Sequence, residues 1–561
     1  MTQKNYRLAN NMKIETSWLT PPTAIGGLDH LGTQAPCLLI YGQLLPGITN
    51  VTDRARYYSL YPWIVWSYDQ RYSKDNASLF VEYFRRADCL LTLIAERHAR
   101  RTDNDNERHG AAMVGRIQLV SALDRLENGQ ALLLSHYTAQ DSTHRYFKNQ
   151  LGGLGQYYAG TLAELGLMDS STRPWFRYTK EHGEPLAEAV DLAVPGDRFW
   201  SIVVSDTVTL EDLDALSAFC ACNLAASQAE CETLRSIFFD TSKRFGEEGA
   251  ERRKSLGLIQ KLVSVLPEDH DLSEDLFRAC AYSGALPGGT PWQVPSTLHN
   301  TMTHWQVYVR NDLLSIACQT LLALSLRKLQ PQLASERRFF NSVESFAVSF
   351  SAEPEVSDAI SGLSALTFGD LVQRSGQQAP QRSHWEQEGH EILLGKKLLE
   401  GWKRNEAEGP MIKNLLQVIA LLAFRDDAGQ APYAALSISP DALSDYPIHL
   451  SSFRQRVEKW RDAPVAEMLS DLTTWCLNTH LRVALRKLRQ TNRSTFHLRP
   501  SERGLEAVGN DIPPPAPTTP RFRQAVQILR DIGVLERDSS KPNRQTCLSA
   551  IGRELMEAAC A

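Results

Sequence analysis

Apolar residues recur at helical spacing along most of the chain, which indicates a mainly α-helical fold. The longest such pattern runs from His299 to Leu329, and its length and apolarity predict a central packing helix. A second pattern, from Ser78 to Arg101, predicts another long helix. The run from Phe199 to Val204 is short and rich in β-branched residues, so it predicts a strand. Residues 1–52 predict irregular structure.

The C-terminal segment predicts a helix, a tight pair of strands and a closing helix. Thr519 and Pro520 suit the start of the first helix, and Gly533 suits its end. Strands are expected at 534–537 and 545–548, joined by a turn-rich stretch, and Ser549 is expected to cap the last helix. This order of elements is that of a winged helix.

A looser version of the same pattern lies near residues 145–189. Leu162–Met168 matches Ile528–Leu535 in character, and each is followed by a polar loop, a capping hydroxyl and a glycine-containing helix. We therefore predict a multi-domain helical protein with two winged-helix-like modules, one near 111–195 and one at the C-terminus. The predicted regions are 1–110 (helical, rich in aromatic residues), 111–200 (winged-helix-like), 201–372 (central helical domain), 373–510 (second helical region with a basic helix) and 511–561 (winged-helix-like).

Composition narrows the functional classes. The chain has 561 residues, is 43% hydrophobic and carries a net charge of −5, so any contact with nucleic acid must come from a local patch. The sequence contains no run of about 18 apolar residues, so no membrane span is predicted. The N-terminus lacks the apolar core of a signal peptide. The 10 scattered cysteines are typical of reduced thiols. We expect a cytoplasmic protein with no membrane partner.

One local patch stands out in this acidic chain. No acidic residue occurs from Leu481 to Pro500, and this stretch is rich in arginine. Arg482, Arg486 and Arg489 share one helical face. The candidate phosphate ligands of this stretch are Arg482, Arg486, Lys487, Arg489 and Arg493. The alternative is a solvated helix whose cations pair with acidic neighbours. The proline-rich stretch 511–520 predicts a stiff linker that delivers the C-terminal unit beside the basic helix.

The predicted C-terminal module offers further DNA ligands, because the helix before a wing commonly enters the major groove and the wing touches phosphates. The candidates are Arg523, Gln524, Gln527 and Arg530 for the bases and Lys541 and Arg544 for the phosphates. Winged helices also dock proteins, and that alternative stays open.

A dense group of polar and aromatic residues follows Asn50. The first candidate for a small-molecule site is the group formed by Asn50, Asp53, Arg54 and Arg56. The favoured interpretation is a structural core in which the arginines pair with a carboxylate such as Asp53.

No metal, cofactor or catalytic site is predicted. His98 and His109 have no cysteine beside them in the sequence, and Cys220, Cys222 and Cys231 lack the paired C-x-x-C spacing of zinc sites, so we expect core cysteines. The segment His384–His390 has no H-E-x-x-H arrangement. There is no P-loop and no G-x-S-x-G motif. The PD-(D/E)xK nuclease motif is too short to reject by inspection.

These patterns lead to a hypothesis of a non-catalytic protein that binds or bridges double-stranded DNA within a bacterial multiprotein system. The combination of a helical body and winged-helix-like ends is associated with phage-defence and mobile-element components. The first alternative is a scaffold whose winged helices dock other protein subunits. The second is a nuclease-like enzyme with a site near Asn50–Arg56 or His384–His390.

Overall fold

The structure is a computed structural model of the chain. It describes residues 29–72, 76–102, 109, 115–130, 132–169, 176–330, 340–363, 365–426, 438, 440–502, 504–509, 511–538 and 545–561. Helices dominate the described residues and the strands are few and short, which confirms the mainly α class.

The N-terminal half contains twelve described α-helices. They are α1 (Gln34–Leu44), α2 (Arg56–Arg71), α3 (Ala77–Arg101), α4 (Arg116–Glu127), α5 (Ser135–Thr138), α6 (Ala159–Glu164), α7 (Gly183–Asp191), α8 (Gly196–Ser205), α9 (Leu210–Ala215), α10 (Gln228–Phe238), α11 (Gly246–Val263) and α12 (Glu274–Ser283). Helix α2 packs against α7 and α3, and α7 packs against α10.

The C-terminal half continues the helical architecture. Its described helices are α13 (His299–Leu329), α14 (Val343–Ser351), α15 (Pro354–Ile360), α16 (Phe368–Gln378), α17 (Glu391–Lys403), α18 (Glu408–Phe424), α19 (Pro440–Leu443), α20 (Leu450–Trp460), α21 (Val465–Thr491), α22 (Phe522–Asp531) and α23 (Ala550–Cys560). Helix α21 packs against α13 and α14, and α23 packs against α11.

In the described part of the chain, four antiparallel strand pairs accompany the helices. The strands are β1 (Leu132–Leu133), β2 (Met168–Asp169), β3 (Arg177–Tyr178), β4 (Thr207–Val208), β5 (Leu498–Ser501), β6 (Gly504–Ala507), β7 (Leu535–Arg537) and β8 (Thr546–Leu548). Strand β1 pairs with β4, and the other six form hairpins of consecutive strands.

Helix α13 is the centre of the fold, and its bounds, His299–Leu329, are the predicted ones. Buried residues lie on all of its faces, as expected for a helix enclosed by others. It packs against α1, α12, α17, α18 and α21, so it joins the two halves of the chain.

Two hairpin units flanked by helices lie where the sequence suggested related segments. In the first unit, α6–β2–β3–α7, the Thr179 hydroxyl donates to the carbonyl of Gly166 (2.6 Å) and accepts from the amide of Gly183 (3.0 Å). A Cβ at Gly183 would lie 2.2 Å from the carbonyl oxygen of Leu167, so only glycine allows this close approach.

The second unit, α22–β7–β8–α23, makes the equivalent contacts. The Ser549 hydroxyl donates to the carbonyl of Gly533 (2.7 Å) and accepts from the amide of Gly552 (3.0 Å). A Cβ at Gly552 would lie 2.2 Å from the carbonyl oxygen of Val534. The two units therefore share a local hydrogen-bond pattern as well as an element order.

Several local predictions were wrong. Residues 199–204 lie in helix α8, because Phe199, Trp200 and Val203 bury one helical face. Residues 34–44 form a helix in a stretch expected to be irregular. The residue before α22 also differs from the predicted one, since Arg521 instead of Thr519 precedes this helix.

A buried ion pair anchors the C-terminal unit to the N-terminal half. The guanidinium of Arg54 binds both carboxylate oxygens of Asp531, at 2.9 and 3.0 Å, and Asp531 also accepts the amide of Ala55. Both charged side chains are about 95% enclosed. Because a buried charge is tolerated only when it is paired, this contact fixes the position of α22.

The proline-rich segment 511–520 is not a free spacer, because it lies along α13. The hydroxyl and the amide of Thr518 donate to the carboxylate of Asp312, at 2.6 and 2.9 Å, and the amide of Ala516 donates to Gln319 (3.2 Å). The C-terminal unit is thus held by α13 as well as by Arg54.

Three histidines lie where α21 meets the segment before α1. The Nδ1 atom of His480 lies 3.0 Å from the carbonyl oxygen of His30, and its Nε2 accepts the amide of His497 (3.0 Å). This pattern requires a neutral imidazole with its proton on Nδ1. Burial lowers the pKa of His480 to about 4, and the pKa of His30 is lowered to about 3.

Removal of the Asp531 carboxylate should destabilise the chain strongly. Asp531→Ala leaves the Arg54 charge buried without its carboxylate, which costs about 3–5 kcal/mol of unfolding free energy. The urea midpoint of the variant measures this loss. The double variant Arg54→Met/Asp531→Leu should lose less unfolding free energy than Asp531→Ala. The control Glu554→Ala, on the exposed side of α23, should change the unfolding free energy by about 0.5 kcal/mol or less. Equal midpoints for Asp531→Ala and Glu554→Ala would contradict the anchoring role.

Acid should destabilise the chain through His480. Its folded pKa of about 4 lies below the ordinary 6.5, so between these values the unfolded state binds more protons than the folded state. Stability is therefore present above pH 6.5 and is lost as the pH falls towards 4, with a slope of about 1.4 kcal/mol per pH unit from this group. His480→Gln should reduce that slope in urea unfolding, and the exposed control His299→Gln should not. An unchanged slope in His480→Gln would contradict the assignment.

Candidate functional site

The basic residues of α21 form an exposed surface, which we call the arginine face: Arg482, Arg486 and Arg489, together with Arg493 just beyond the helix. The side chains of Arg482, Arg489 and Arg493 are exposed. Among the described residues, no carboxylate lies within ion-pair distance of these three guanidinium groups. The expectation that acidic neighbours would neutralise them is therefore not met in the described part of the chain.

Two other cations of the same stretch are held in place. Arg486 stacks on the ring of Tyr446 at 4.6 Å and donates to the carbonyl of Asp445 (2.9 Å). Its ion pair with the Asp445 carboxylate is long, at 3.8 Å. Lys487 points the other way and donates to the carbonyl of Asp29 (2.6 Å). Arg486 therefore belongs to the surface, and Lys487 serves the packing of α21.

A polar groove of about 380 Å³ between α20 and α21 leads to the arginine face. Lys459 and Arg482 both line it. Arg456 lies there too, but it is stacked on Trp475 at 4.6 Å and paired with Asp471 at 2.6 Å. The groove thus adds one exposed lysine to the positive surface.

The predicted base-reading residues of α22 mostly face the body of the protein. Gln524 is buried and donates to the Asp53 carboxylate (2.7 Å). Gln527 donates to Asp531 within the same helix, and Arg530 donates to the hydroxyl of Thr546 in β8 (3.3 Å).

Of the four candidates on α22, Arg523 is the one with an exposed side chain. Lys541 and Arg544, the predicted wing ligands, lie outside the described residues. In this arrangement α22 turns most of its candidate ligands inward, so it does not offer the surface of a recognition helix.

Most of the Asn50–Arg56 segment is buried, although Asn50 itself is exposed. The carbonyl of Asn50 accepts from Gln524, and Arg56 is buried and paired with Glu230 at 3.3 Å. Arg54 pairs with Asp531 as described above. The favoured core interpretation fits these contacts, but the carboxylate partners come from distant parts of the chain instead of from Asp53.

The segment His384–His390 is not helical, because α17 begins at Glu391. The His390 imidazole is buried and accepts the amide of Ile392, so it caps α17. The Glu391 carboxylate binds Arg425 at 2.8 Å and Tyr282 at 2.5 Å. These side chains are occupied in packing and do not converge on an open site.

Four residues from two separate stretches of the sequence could hold a metal ion. His98, His109, Cys220 and Cys222 lie together although more than a hundred residues separate the histidines from the cysteines. No cysteine lies beside these histidines in the sequence, but the fold brings Cys220 and Cys222 next to them. Cys231 is not part of the group, since its thiol donates to the carbonyl of Leu224.

Among the helices that the structure describes, none combines the length and the apolarity that a membrane crossing needs. Comparison of the chain with protein-family models, with curated proteins and with solved structures gave no significant match.

Proposed function

We propose that the protein binds the phosphate backbone of double-stranded DNA, without catalysis, through the arginine face. The observation that carries the proposal is the exposure of Arg482, Arg489 and Arg493 within an otherwise acidic chain. A cation without a carboxylate partner keeps its full attraction for an external anion, and each phosphate contact releases a counterion.

The spacing of these side chains suits a polyanion. Arg482 and Arg489 are seven residues apart, which corresponds to about 10.5 Å along the helix axis. That distance is close to the axial rise of about three nucleotides along one DNA strand. Lys459, across the groove from α21, extends the positive surface beyond Arg482.

We further propose that the two hairpin units are winged-helix-like modules that serve assembly. The hydrogen-bond pattern that the two units share supports assigning both to one type of module. The inward orientation of Gln524 and Gln527 favours protein docking over base recognition. Binding of DNA would then be largely independent of sequence, because phosphate contacts carry no base information.

The main alternative is a scaffold that binds partner proteins. An apolar groove of about 650 Å³ between α14, α15 and α21 supports it, since Val348 there is 63% exposed. The two functions differ in a simple observable, because a scaffold would not bind an isolated duplex at moderate salt.

Removal of the arginine face should weaken duplex binding. In Arg482→Ala/Arg489→Ala/Arg493→Ala, each lost contact should cost about 0.5–1 kcal/mol, so the Kd should rise roughly 10- to 100-fold. Fluorescence anisotropy with a short labelled duplex measures the Kd.

The matched control is Arg244→Ala/Arg404→Ala/Arg461→Ala, which removes three exposed arginines that have carboxylate partners. Both triple variants change the formal net charge from −5 to −8, so a general field effect would weaken binding equally in both. Equal losses, or a wild-type chain that does not bind duplex, would refute the proposal. If the wild-type chain does not bind duplex but co-purifies with other proteins, the scaffold function would be favoured.

A further inference from the structure

The strongest feature outside the arginine face is the group of His98, His109, Cys220 and Cys222, which we call the Cys₂His₂ cluster. His98 lies in the last turn of α3. Cys220 lies between two short 3₁₀ segments, Ser217–Phe219 and Ala221–Ala226, and Cys222 lies in the second of them, between α9 and α10. The four ligand atoms lie within 4.8 Å of one another. The cluster is partly enclosed, because Cys220 and His109 are buried while His98 and Cys222 are half-buried.

Three of the six distances between ligand atoms in the cluster are close to the edges of a tetrahedral metal site. The two sulfur atoms are 3.4 Å apart, the Sγ of Cys222 is 3.3 Å from the Nδ1 of His98, and the Sγ of Cys220 is 3.8 Å from the Nδ1 of His109. Zinc bonds of about 2.3 Å to sulfur and about 2.0 Å to nitrogen give tetrahedral edges of roughly 3.3–3.8 Å. The ligand atoms therefore already stand at nearly the separation that a zinc ion requires.

The hydrogen bonds around His109 fix the correct tautomer. The Thr102 hydroxyl donates its proton to the carbonyl of His98 (2.7 Å), so it can only accept from the Nε2 of His109 (2.9 Å). The proton of His109 is therefore on Nε2, and the lone pair of Nδ1 faces the cysteines. A metal-binding imidazole commonly has such a partner on its other nitrogen.

The cysteine side of the cluster is held by a buried arginine. Arg56 donates to the carbonyl of Cys220 (2.8 Å) and is itself paired with Glu230. The side-chain amide of Asn223 donates to the backbone carbonyl of Ser217 (2.8 Å), which closes the short segment around the cysteines.

We propose that His98, His109, Cys220 and Cys222 bind one zinc ion in a closed tetrahedral site. Two thiolates and two neutral imidazoles are a preferred donor set for Zn²⁺. On binding, each thiol releases one proton and forms one Zn–S bond, so two protons leave, the site becomes neutral and no oxidation occurs.

The closed site has a structural role. Four protein ligands leave no coordination position for water or substrate, so the ion links the end of α3 to the segment between α9 and α10. The site shares no residue with the arginine face.

The test begins with the wild-type full-length chain, purified under reducing conditions without a metal-affinity tag. Elemental mass spectrometry should find one zinc per chain, and chelation should lower the thermal midpoint, with recovery on addition of zinc. The chelated chain loaded with Co²⁺ should show the visible absorption of tetrahedral, thiolate-bound cobalt. The variants Cys222→Ala and His98→Ala should lose the zinc and the cobalt absorption.

Cys231→Ala and His299→Ala are the matched controls, because they remove a cysteine and a histidine outside the cluster, and both should keep one zinc. The wild-type result decides the question even if a cluster variant fails to fold. Three wild-type results would overturn the proposal: substoichiometric zinc after incubation with excess zinc, iron in its place, or a Cys220–Cys222 disulfide in the reduced preparation. Retention of zinc and of the cobalt absorption by a folded Cys222→Ala chain would also overturn it.

Discussion

The pairing of buried charge is the constraint on which this structure depends. A charged group inside a protein is costly unless a partner of opposite sign or several hydrogen bonds compensate it. Arg54 meets this condition with Asp531, Arg56 with Glu230, and Arg278 with Asp312. The first two pairs join elements that are distant in the sequence, and the third joins the consecutive helices α12 and α13. The same interactions that neutralise the charges therefore determine how the N-terminal half, α13 and the C-terminal unit fit together.

This constraint also separates structural arginines from those available to a ligand. Arg56 holds the backbone at Cys220 and so connects the core to the Cys₂His₂ cluster. The arginine face is different, since its exposed members have no carboxylate partner among the described residues. In a chain with a net charge of −5, a local group of this kind is a positive field on an acidic background. That contrast is the physical basis for assigning it to an external polyanion.

Sequence periodicity was sufficient for the long helices and for the C-terminal hairpin. The bounds of α13 were predicted correctly, because thirty-one residues of continuous helical pattern outweigh local propensity. For residues 199–204, the β-branched composition led to a wrong prediction of a strand. The segment is helical because a helix buries its apolar side chains against neighbouring helices. The sequence also identified the basic face of α21, since the missing acidic residues are a local property.

Contacts between distant residues could not be predicted in the same way. Nothing near Arg54 in the chain identifies Asp531 as its partner, 477 residues away. The Cys₂His₂ cluster was missed for the same reason, because its ligands come from two segments whose spacing matches no zinc motif. The C-x-C pair at 220–222 and the two histidines, His98 at the end of α3 and His109 beyond it, were visible signals, but only the fold brings them together. Gln524 likewise looked like a base-reading residue until its bond to Asp53 was known.

The salt dependence of duplex binding by the wild-type chain tests the central claim most directly. If about three arginines each neutralise one phosphate, a plot of the logarithm of the association constant against the logarithm of salt concentration should have a slope of about −2.7. A slope near zero, or no binding at low salt, would contradict the claim that the arginine face binds a polyanion.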